Sequence, residues 1–163
     1  MPLQIFNSLS GKKEDFNPVQ EGQASLYVCG PTVYGDSHLG HAKAYVSFDI
    51  ILRYLRHCGL KTFYVQNITD VGHLMGDGDD GEDKLLKRAR EMEKEPMAVA
   101  EYFSRRHFEA MDRMGVIRPD ISPRATGHIT EQLEAIEQLM KQGLAYESNG
   151  SVYSEINKDQ KYG

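Results

Sequence analysis

Residues 27–41 read Tyr-Val-Cys-Gly-Pro-Thr-Val-Tyr-Gly-Asp-Ser-His-Leu-Gly-His and hold the features that decide the fold. A thiol, two imidazoles and several glycine or proline breaks stand together between a short apolar run and a long amphipathic one. Residues 25–29 are short, β-branched and aromatic, which predicts a buried strand that ends in a turn. We infer that the rest of the chain is built to hold this turn.

The residues after the turn predict an amphipathic helix and a second strand. Between residues 40 and 57 apolar side chains recur at steps of three and four, and Gly59 follows as a C-terminal cap. Residues 62–66 form the next strand, so the pattern is the βαβ unit of a parallel sheet with a right-handed crossover. Ligands bind beyond the carboxyl ends of such strands, where the polar clusters at residues 29–41 and 67–70 are both expected.

The remaining segments predict further helices and a terminal hairpin. Residues 1–25 read as an edge strand followed by a loop. Helical patterns and a hairpin pattern then follow in order, at residues 82–94, 97–114, 128–142 and 144–154. The acidic loop at residues 76–83 lacks an acidic fifth position counted from Asp77, so we do not expect an EF-hand calcium site there.

Composition describes one ordinary globular domain. The chain has 163 residues, of which 40% are apolar and 26% charged. A net charge of −5 argues against binding nucleic acid through bulk electrostatics. Apolar runs fall short of the ~20 residues of a membrane span, and the N-terminus lacks a secretion signal. With only two cysteines, a reducing compartment and a cytoplasmic location are the default expectation.

The His38-Leu39-Gly40-His41 motif offers a phosphate site. Where a loop enters a helix, two imidazoles stand beside unpaired N–H groups and the positive end of the helix dipole. Gly40 presents no side chain, so a base or ribose can approach the backbone. The imidazoles can also stabilise charge on a five-coordinate phosphorus. The alternative is that both histidines serve only to begin the helix.

Cys29 and residues 67–70 are further candidates at the same edge. A zinc site at Cys29 would need about three more ligands, and no spacing in the chain supplies them; the alternative is a small buried side chain. We interpret Cys58 as structural. Residues 67–70 suit the amino or carboxyl group of a small substrate, or simply turn formation. Two other polar groups are expected to be solvated: Arg118, Asp120, Arg124 and Thr126 in a loop, and Lys84, Lys87, Arg88 and Arg90 on a helix.

The combined motifs resemble the N-terminal part of the cysteinyl-tRNA synthetase family over essentially the whole chain. They are residues 27–34, 38–41, 67–70, 118–120, 123–126 and the closing hairpin. The resemblance implies an α/β fold in which residues 1–143 form the first half of a Rossmann-type parallel sheet domain, and residues 144–163 begin an inserted connective segment. It also implies ATP-dependent adenylation of L-cysteine, followed by transfer to tRNA(Cys), by a monomeric cytoplasmic ligase without a membrane partner.

Site roles follow from the same resemblance, position by position. Cys29 matches the family's first zinc ligand, where Zn²⁺ binds the substrate thiolate and so selects against serine. Gly30 and Thr69 match positions that line the cysteine pocket. His38 and His41 match the catalytic histidines of adenylation, and with Gly40 they bind the nucleotide. ATP is expected to arrive with Mg²⁺.

The chain also departs from the family pattern. A Lys-Met-Ser-Lys-Ser loop, which holds ATP phosphates in the family, does not occur in the sequence. We therefore expect these residues to be the first third of such an enzyme, unable to adenylate cysteine alone. Three alternatives stay open: a mycothiol-pathway cysteine ligase of the same fold, a small nucleotidyltransferase with an H-x-G-H motif, and an inactive binding module.

Overall fold

The structure, a computed structural model, describes residues 3–72 and 83–158. The chain divides into two compact units between Ser122 and Pro123. The strands and helices are, in chain order, β1 (Gln4–Asn7), β2 (Lys12–Asp15), β3 (Gln23–Val28), α1 (Leu39–His57), β4 (Lys61–Gln66), α2 (Lys84–Glu91), α3 (Pro96–Arg113), a 3-10 turn (Thr126–His128), α4 (Ile129–Lys141), β5 (Ala145–Ser148) and β6 (Ser151–Ser154).

The β3–α1–β4 motif of the first compact unit brings the two polar clusters to the same edge of the sheet. Strands β3 and β4 pair in parallel along their whole length, with Val28 opposite Gln66. A parallel bridge from Thr32 to Thr69 continues this pairing beyond the strand ends. Among the described residues the parallel sheet has two strands. The structure thus shows an α/β unit, and the larger Rossmann-type sheet stays a prediction.

Helix α1 is amphipathic, as predicted, and its boundaries follow from local chemistry. Tyr45, Leu52 and Leu55 are buried, whereas Ile51 at the edge of the stripe is 40% exposed. Gly59 follows the helix at φ +83°, a left-handed conformation that costs little without a Cβ. The predicted helix and its glycine cap are confirmed.

Two apolar clusters support the site. One lies among β3, β4, α1 and α3 and contains Val28, Tyr45, Leu52, Tyr64, Met111 and Val116. The other contains Val33 and Ile68, which come from the two loops after the strands and are 1% and 2% exposed. These loops pack against α2 and α3, chiefly on Leu85, Ala89, Val99, Ala100 and Phe103. Because Val33 and Ile68 are buried in this cluster, the two loops that carry the polar residues are fixed by close packing.

The N-terminal region differs from its prediction. The loop expected after the first strand instead contains β2, which pairs antiparallel with β1 and sets Gln4 opposite Asp15. Residues Lys-Lys-Glu-Asp of β2 have no apolar alternation, so the strand carries no sequence signal. The pairing is fixed by hydrogen bonds, among them Gln4 Nε2 to Asp15 Oδ1 at 2.8 Å.

Helix α2 is shorter than the prediction. It ends at Glu91 instead of near residue 94, and Glu93 has a φ of +51°, which a continuing helix cannot accommodate. Asp83 is its N-cap and accepts from the N–H groups of Leu85 and Leu86, so it precedes the first turn in which it was expected. The rest of the acidic loop, residues 76–82, lies outside the described residues.

The second unit contains α4 and an antiparallel hairpin of β5 and β6. Asn149 and Gly150 have φ values of +52° and +78°, which a two-residue turn of this twist requires. The hairpin prediction is confirmed, and α4 begins one residue after His128. That an inserted segment starts at residue 144 stays a prediction. No helix in residues 3–72 and 83–158 is long and apolar enough to cross a membrane.

Candidate functional site

The two predicted polar clusters lie side by side at the carboxyl ends of β3 and β4. Val33 N–H donates to the Thr69 carbonyl at 3.2 Å, and Thr69 N–H donates to the Pro31 carbonyl at 3.0 Å. The loops are therefore joined in the same way as the strands that lead into them. Because β3 and β4 are parallel, their carboxyl ends lie at the same edge of the sheet, and the loops that follow them are neighbours.

Asn67 ties the beginning of the first loop to the second. Its Oδ1 accepts from Gly30 N–H at 2.8 Å and from the Tyr27 hydroxyl at 3.0 Å. Its Nδ2 donates to Thr69 Oγ1 at 3.1 Å. A Cβ placed on Gly30 would lie 1.5 Å from the Asn67 carbonyl oxygen, so only glycine fits. Gly30 and Thr69, the two predicted pocket residues, are thus joined through one amide side chain.

Cys29 directly follows β3 and is exposed. This exposure does not fit the alternative of a small buried side chain. Its carbonyl accepts from the Tyr45 hydroxyl at 3.3 Å, and burial, with Tyr64 and Cys29 nearby, raises the pKa of Tyr45 to about 12. The phenol therefore stays protonated and keeps donating. Cys58, also exposed, lies far along the chain at the C-cap of α1.

A zinc site is not completed by the described residues. Within residues 3–72 and 83–158, no three His, Cys, Asp or Glu side chains are grouped to hold a metal ion. Cys29 accordingly offers one ligand where zinc takes about four.

His38 and His41 cap each other at the first turn of α1. The His38 N–H donates to Nδ1 of His41 at 3.2 Å, and Gly40 N–H donates to Nδ1 of His38 at 3.1 Å. The ring centroids lie 4.0 Å apart. Since each Nδ1 accepts a hydrogen bond, each neutral ring carries its proton on Nε2. The cap therefore leaves two Nε2–H donors at the positive end of a 19-residue helix.

The lowered pKa of His41 favours the capping arrangement. Partial burial, followed by the neighbouring His38, lowers the pKa of His41 below its ordinary value of 6.5. Protonation would put a hydrogen on Nδ1, which could then no longer accept from the backbone. Gly40 is also constrained, because a Cβ there would approach Cε1 of His38 to 2.9 Å. The predicted helix-start reading and the predicted phosphate reading are thus compatible in this geometry.

One cavity opens beside the histidines, and a second adjoins it. One, of about 280 Å³, is lined by Thr32, Tyr34, Gly35, Asp36, His38 and His41. The other, of about 350 Å³, shares Tyr34 and Gly35 and adds Lys84, Lys87, Arg88 and Glu91 from α2. The Lys84 ammonium lies 5.6 Å from the centre of the Tyr34 ring. Part of the basic run that was predicted to be a solvated face therefore borders the site.

Sequence reasoning missed the contribution of α3. Arg106 forms an ion pair with Asp36, in which Nη2 lies 3.0 Å from Oδ2. Ser37 Oγ lies 2.9 Å from Nδ1 of His107, which is 2% exposed. No local signal could have found these contacts, because they join residues 70 positions apart.

The part of the 118–126 loop that belongs to the first unit contains Arg118 and Asp120, and both have partners of their own. Arg118 pairs with Asp112, and its Nε lies 2.9 Å from Oδ1 of that residue. Asp120 instead supports β4, where its Oδ2 accepts from Tyr64 N–H at 2.7 Å. Arg124 and Thr126 belong to the second unit.

Comparisons with known proteins agree on one family. Residues 15–163 match the family described as tRNA synthetases class I (C) catalytic domain. The chain is 58% identical over 165 residues to the cysteine–tRNA ligase of Chlorobaculum tepidum, an alignment that includes 99% of this chain and 34% of that protein. It is 50% identical over 163 residues to the cysteine–tRNA ligase of Thermus thermophilus, with 100% of this chain and 34% of that protein aligned. The chain therefore spans about a third of the length of these curated relatives.

A solved structure shares the fold. The LeuRS of Agrobacterium radiobacter K84, in a ternary complex with tRNA and LeuAMS, superposes with a TM-score of 0.59 at 19% identity. The superposition covers 81% of this chain and 16% of that chain. At this identity the likeness concerns the α/β fold alone.

Proposed function

The chain belongs to the family of class I (C) tRNA synthetase catalytic domains, and on that premise we propose that it forms the ATP- and cysteine-binding edge of a cysteine–tRNA ligase. In the reaction, a carboxylate oxygen of L-cysteine bonds to the α-phosphorus of ATP while the bond to pyrophosphate breaks. A ribose hydroxyl at the 3′ end of tRNA(Cys) then forms an ester bond with the cysteinyl carbonyl, while the bond to phosphate breaks and AMP leaves.

The mutual cap of His38 and His41 carries this proposal. With both Nδ1 atoms accepting from backbone N–H groups, the two Nε2–H groups are available to donate to phosphate oxygens. They stand at a helix N-terminus, where the dipole favours negative charge. Donors fixed in this way stabilise the charge that grows on the phosphorus, without reorganising during the reaction. His38 and His41 are the proposed catalytic residues, and Gly40, which leaves room for the His38 ring, is proposed to bind the nucleotide with them.

Gly30 and Thr69 are proposed to line the cysteine pocket. The support for this role is that Asn67 holds the Gly30 N–H and the Thr69 hydroxyl through one side chain. Groups that are already held in place need little reordering when a small substrate binds beside them. Cys29, which is exposed, lies next to Gly30 in the sequence, and its thiol is proposed as one ligand of Zn²⁺.

Several finer features complete the proposal. Zn²⁺, when bound, would select the substrate through its thiolate; its other ligands would come from the rest of a longer protein, and Mg²⁺ would accompany ATP. Strands β3 and β4 are proposed as part of a larger Rossmann-type parallel sheet in a domain covering residues 1–143, with residues 144–163 opening an inserted segment. We propose a monomer that works in the cytoplasm without a membrane partner.

A domain exchange tests the proposed function. Replacing the matching third of the Thermus thermophilus ligase with this chain should give a protein that supports cysteine-dependent ATP–pyrophosphate exchange and charges tRNA(Cys). In this chimera, His38→Ala or His41→Ala should lower exchange about 100-fold, the scale for a lost charge-stabilising donor. His57→Ala, at the exposed last turn of α1, is the matched control.

Two outcomes would count against the proposal. A folded chimera without exchange would reject the assigned activity, and full activity of the His38→Ala and His41→Ala variants would reject the histidine roles. The 163-residue chain alone is expected to show no exchange.

A further inference from the structure

Helix α3 holds the turn before α1 at two consecutive positions. The Arg106 guanidinium binds both carboxylate oxygens of Asp36. The next residue along α3, His107, is hydrogen-bonded to Ser37, the next residue of the turn, at 2.9 Å. Ser37 is the residue immediately before His38. The turn that begins the candidate site is therefore attached to α3 before it enters α1.

His107 also reaches the candidate site through α1. Its ring meets the Tyr45 ring at 78°, with centroids 5.2 Å apart. Tyr45 in turn stacks near His41, at a centroid separation of 6.2 Å and an angle of 14°. His41 contacts His38, whose N–H it caps. His107 thus lies where two routes meet, one through Ser37 to His38 and one through Tyr45 to His41.

The setting of His107 is unusual for a helix residue that serves packing alone. It is 2% exposed, and its Nε2 has no hydrogen-bond partner among the described residues. An apolar side chain would fill this space without that cost, because an unsatisfied buried nitrogen is unfavourable. Within residues 3–72 and 83–158, the one hydrogen bond that the ring makes is to Ser37. An apolar ring could not make the hydrogen bond to Ser37. The imidazole of His107 therefore serves to attach the turn before α1 to α3.

We propose that Ser37 and His107 are positioning residues for the nucleotide site, an inference that rests on the proposed function. Their hydrogen bond fixes the backbone that enters α1, and the contact of His107 with Tyr45 fixes the stacking surface beside His41. Together they hold the two catalytic imidazoles in the mutually capped arrangement. Neither Ser37 nor His107 is assigned a contact with ATP.

Nitrogen-15 NMR of the imidazole rings tests this positioning in the full 163-residue chain, independently of activity. Ser37→Ala removes the hydrogen bond with the smallest change in volume, and His107→Phe keeps an aromatic ring against Tyr45. We expect either variant to shift the ring signals of His38 and His41 in the same way, and the double variant to add nothing further, because one bond is lost in all three. Ser37→Thr, which keeps the hydroxyl, should restore the original signals.

Steady-state kinetics of the Thermus thermophilus chimera provide the second readout. Ser37→Ala should raise the KM for ATP about fivefold, the effect of one lost hydrogen bond. Loss of folded protein would lower the apparent kcat and leave KM unchanged, so the two causes separate. Ser47→Ala is the matched control, since the Ser47 hydroxyl donates to the Lys43 carbonyl within α1 at 2.8 Å.

The outcomes separate this inference from the proposed function. Unchanged His38 and His41 signals in Ser37→Ala would overturn the positioning role, whatever the activity. A chimera without exchange would reject the proposed function, while the ring signals of the chain would still decide the positioning role. If His107→Phe does not fold, Ser37→Ala and its Thr rescue carry the test alone.

Discussion

The backbone N–H of His38 donates to the ring of His41 at 3.2 Å, while the ring of His38 accepts from Gly40 N–H at 3.1 Å. The two histidines therefore form a reciprocal capping box in which imidazoles take the places usually held by hydroxyl and carboxylate groups. Capping consumes Nδ1 of each ring and leaves Nε2, so the same two side chains can begin a helix and donate to a ligand.

Substitutions of His38 should separate its two roles. Asn is a preferred N-cap and Ala is a poor one, so His38→Asn should nearly keep the free energy of unfolding while His38→Ala lowers it by about 1 kcal/mol. Both should lower ATP–pyrophosphate exchange in the chimera about 100-fold, because neither has an imidazole. Urea unfolding and exchange assays on the two variants measure this. Equal destabilisation by Asn and Ala would show that the cap is not what stabilises α1.

Gly30 should be far more sensitive to substitution than Gly35. A Cβ at Gly30 would lie 1.5 Å from the Asn67 carbonyl oxygen, whereas one at Gly35 meets nothing within 4 Å. Because the first clash involves backbone atoms, Gly30→Ala should lower the free energy of unfolding by at least about 2 kcal/mol. Gly35→Ala is the control and should change it by less than about 0.5 kcal/mol. Thermal and urea unfolding compare the two; similar stabilities would contradict the close approach.

Asn67→Ala should loosen both loops of the site. It removes the acceptor of the Gly30 N–H and Tyr27 hydroxyl bonds and leaves the half-buried Gly30 N–H unpaired. The free energy of unfolding should fall by about 1–3 kcal/mol. Asn17→Ala removes one exposed bond, to the Asp15 carbonyl, and should have little effect.

Hydrogen exchange of the Gly30 amide tests whether the loss of stability in Asn67→Ala arises at the loop after β3. The Gly30 amide should exchange faster in Asn67→Ala than in the original chain. An unchanged rate would mean that the side chain of Asn67 does not hold the loop.

His107 should make the chain less stable as the pH falls through the range of histidine titration. Burial, followed by nearby His41, lowers the pKa of His107 from 6.5 to about 4. Above pH 6.5 the folded and unfolded chains both hold the ring neutral. Between pH 6.5 and about pH 4, His107 is protonated in the unfolded chain but stays neutral in the folded chain. The free energy of unfolding therefore falls over this range. The loss between pH 7.5 and pH 5 should be on the order of 2 kcal/mol.

His107→Phe is the variant that isolates this pH effect. Urea unfolding at pH 7.5 and pH 5 should show a smaller loss in His107→Phe than in the original chain. The pKa of His41 is lowered as well, by burial and then His38, so part of the pH dependence should persist in the variant. Identical pH dependence in the two proteins would show that His107 takes up its proton in the folded state.

Local patterns predicted the elements that lie within one stretch of sequence. The helix α1, its cap at Gly59, and the Asn149–Gly150 turn each depend on neighbouring residues, whose spacing and φ preferences the sequence displays. Strand β2 was not predicted, because its residues Lys-Lys-Glu-Asp have no alternation of apolar and polar side chains. Only its pairing with β1, across the turn that contains Gly11, makes it a strand.

The sequence by itself determined the family and the order of the strand–helix–strand unit, because motif spacing and hydrophobic period are properties of the chain. Only the tertiary structure decided what holds the site in place. The contacts of Asn67 with Gly30, and of Ser37 with His107, join residues 37 and 70 positions apart. Such partners are chosen by packing geometry, which no local pattern encodes. The mutual cap of His38 and His41 is different, because it joins residues three positions apart and helix initiation by both was one of the sequence-based alternatives.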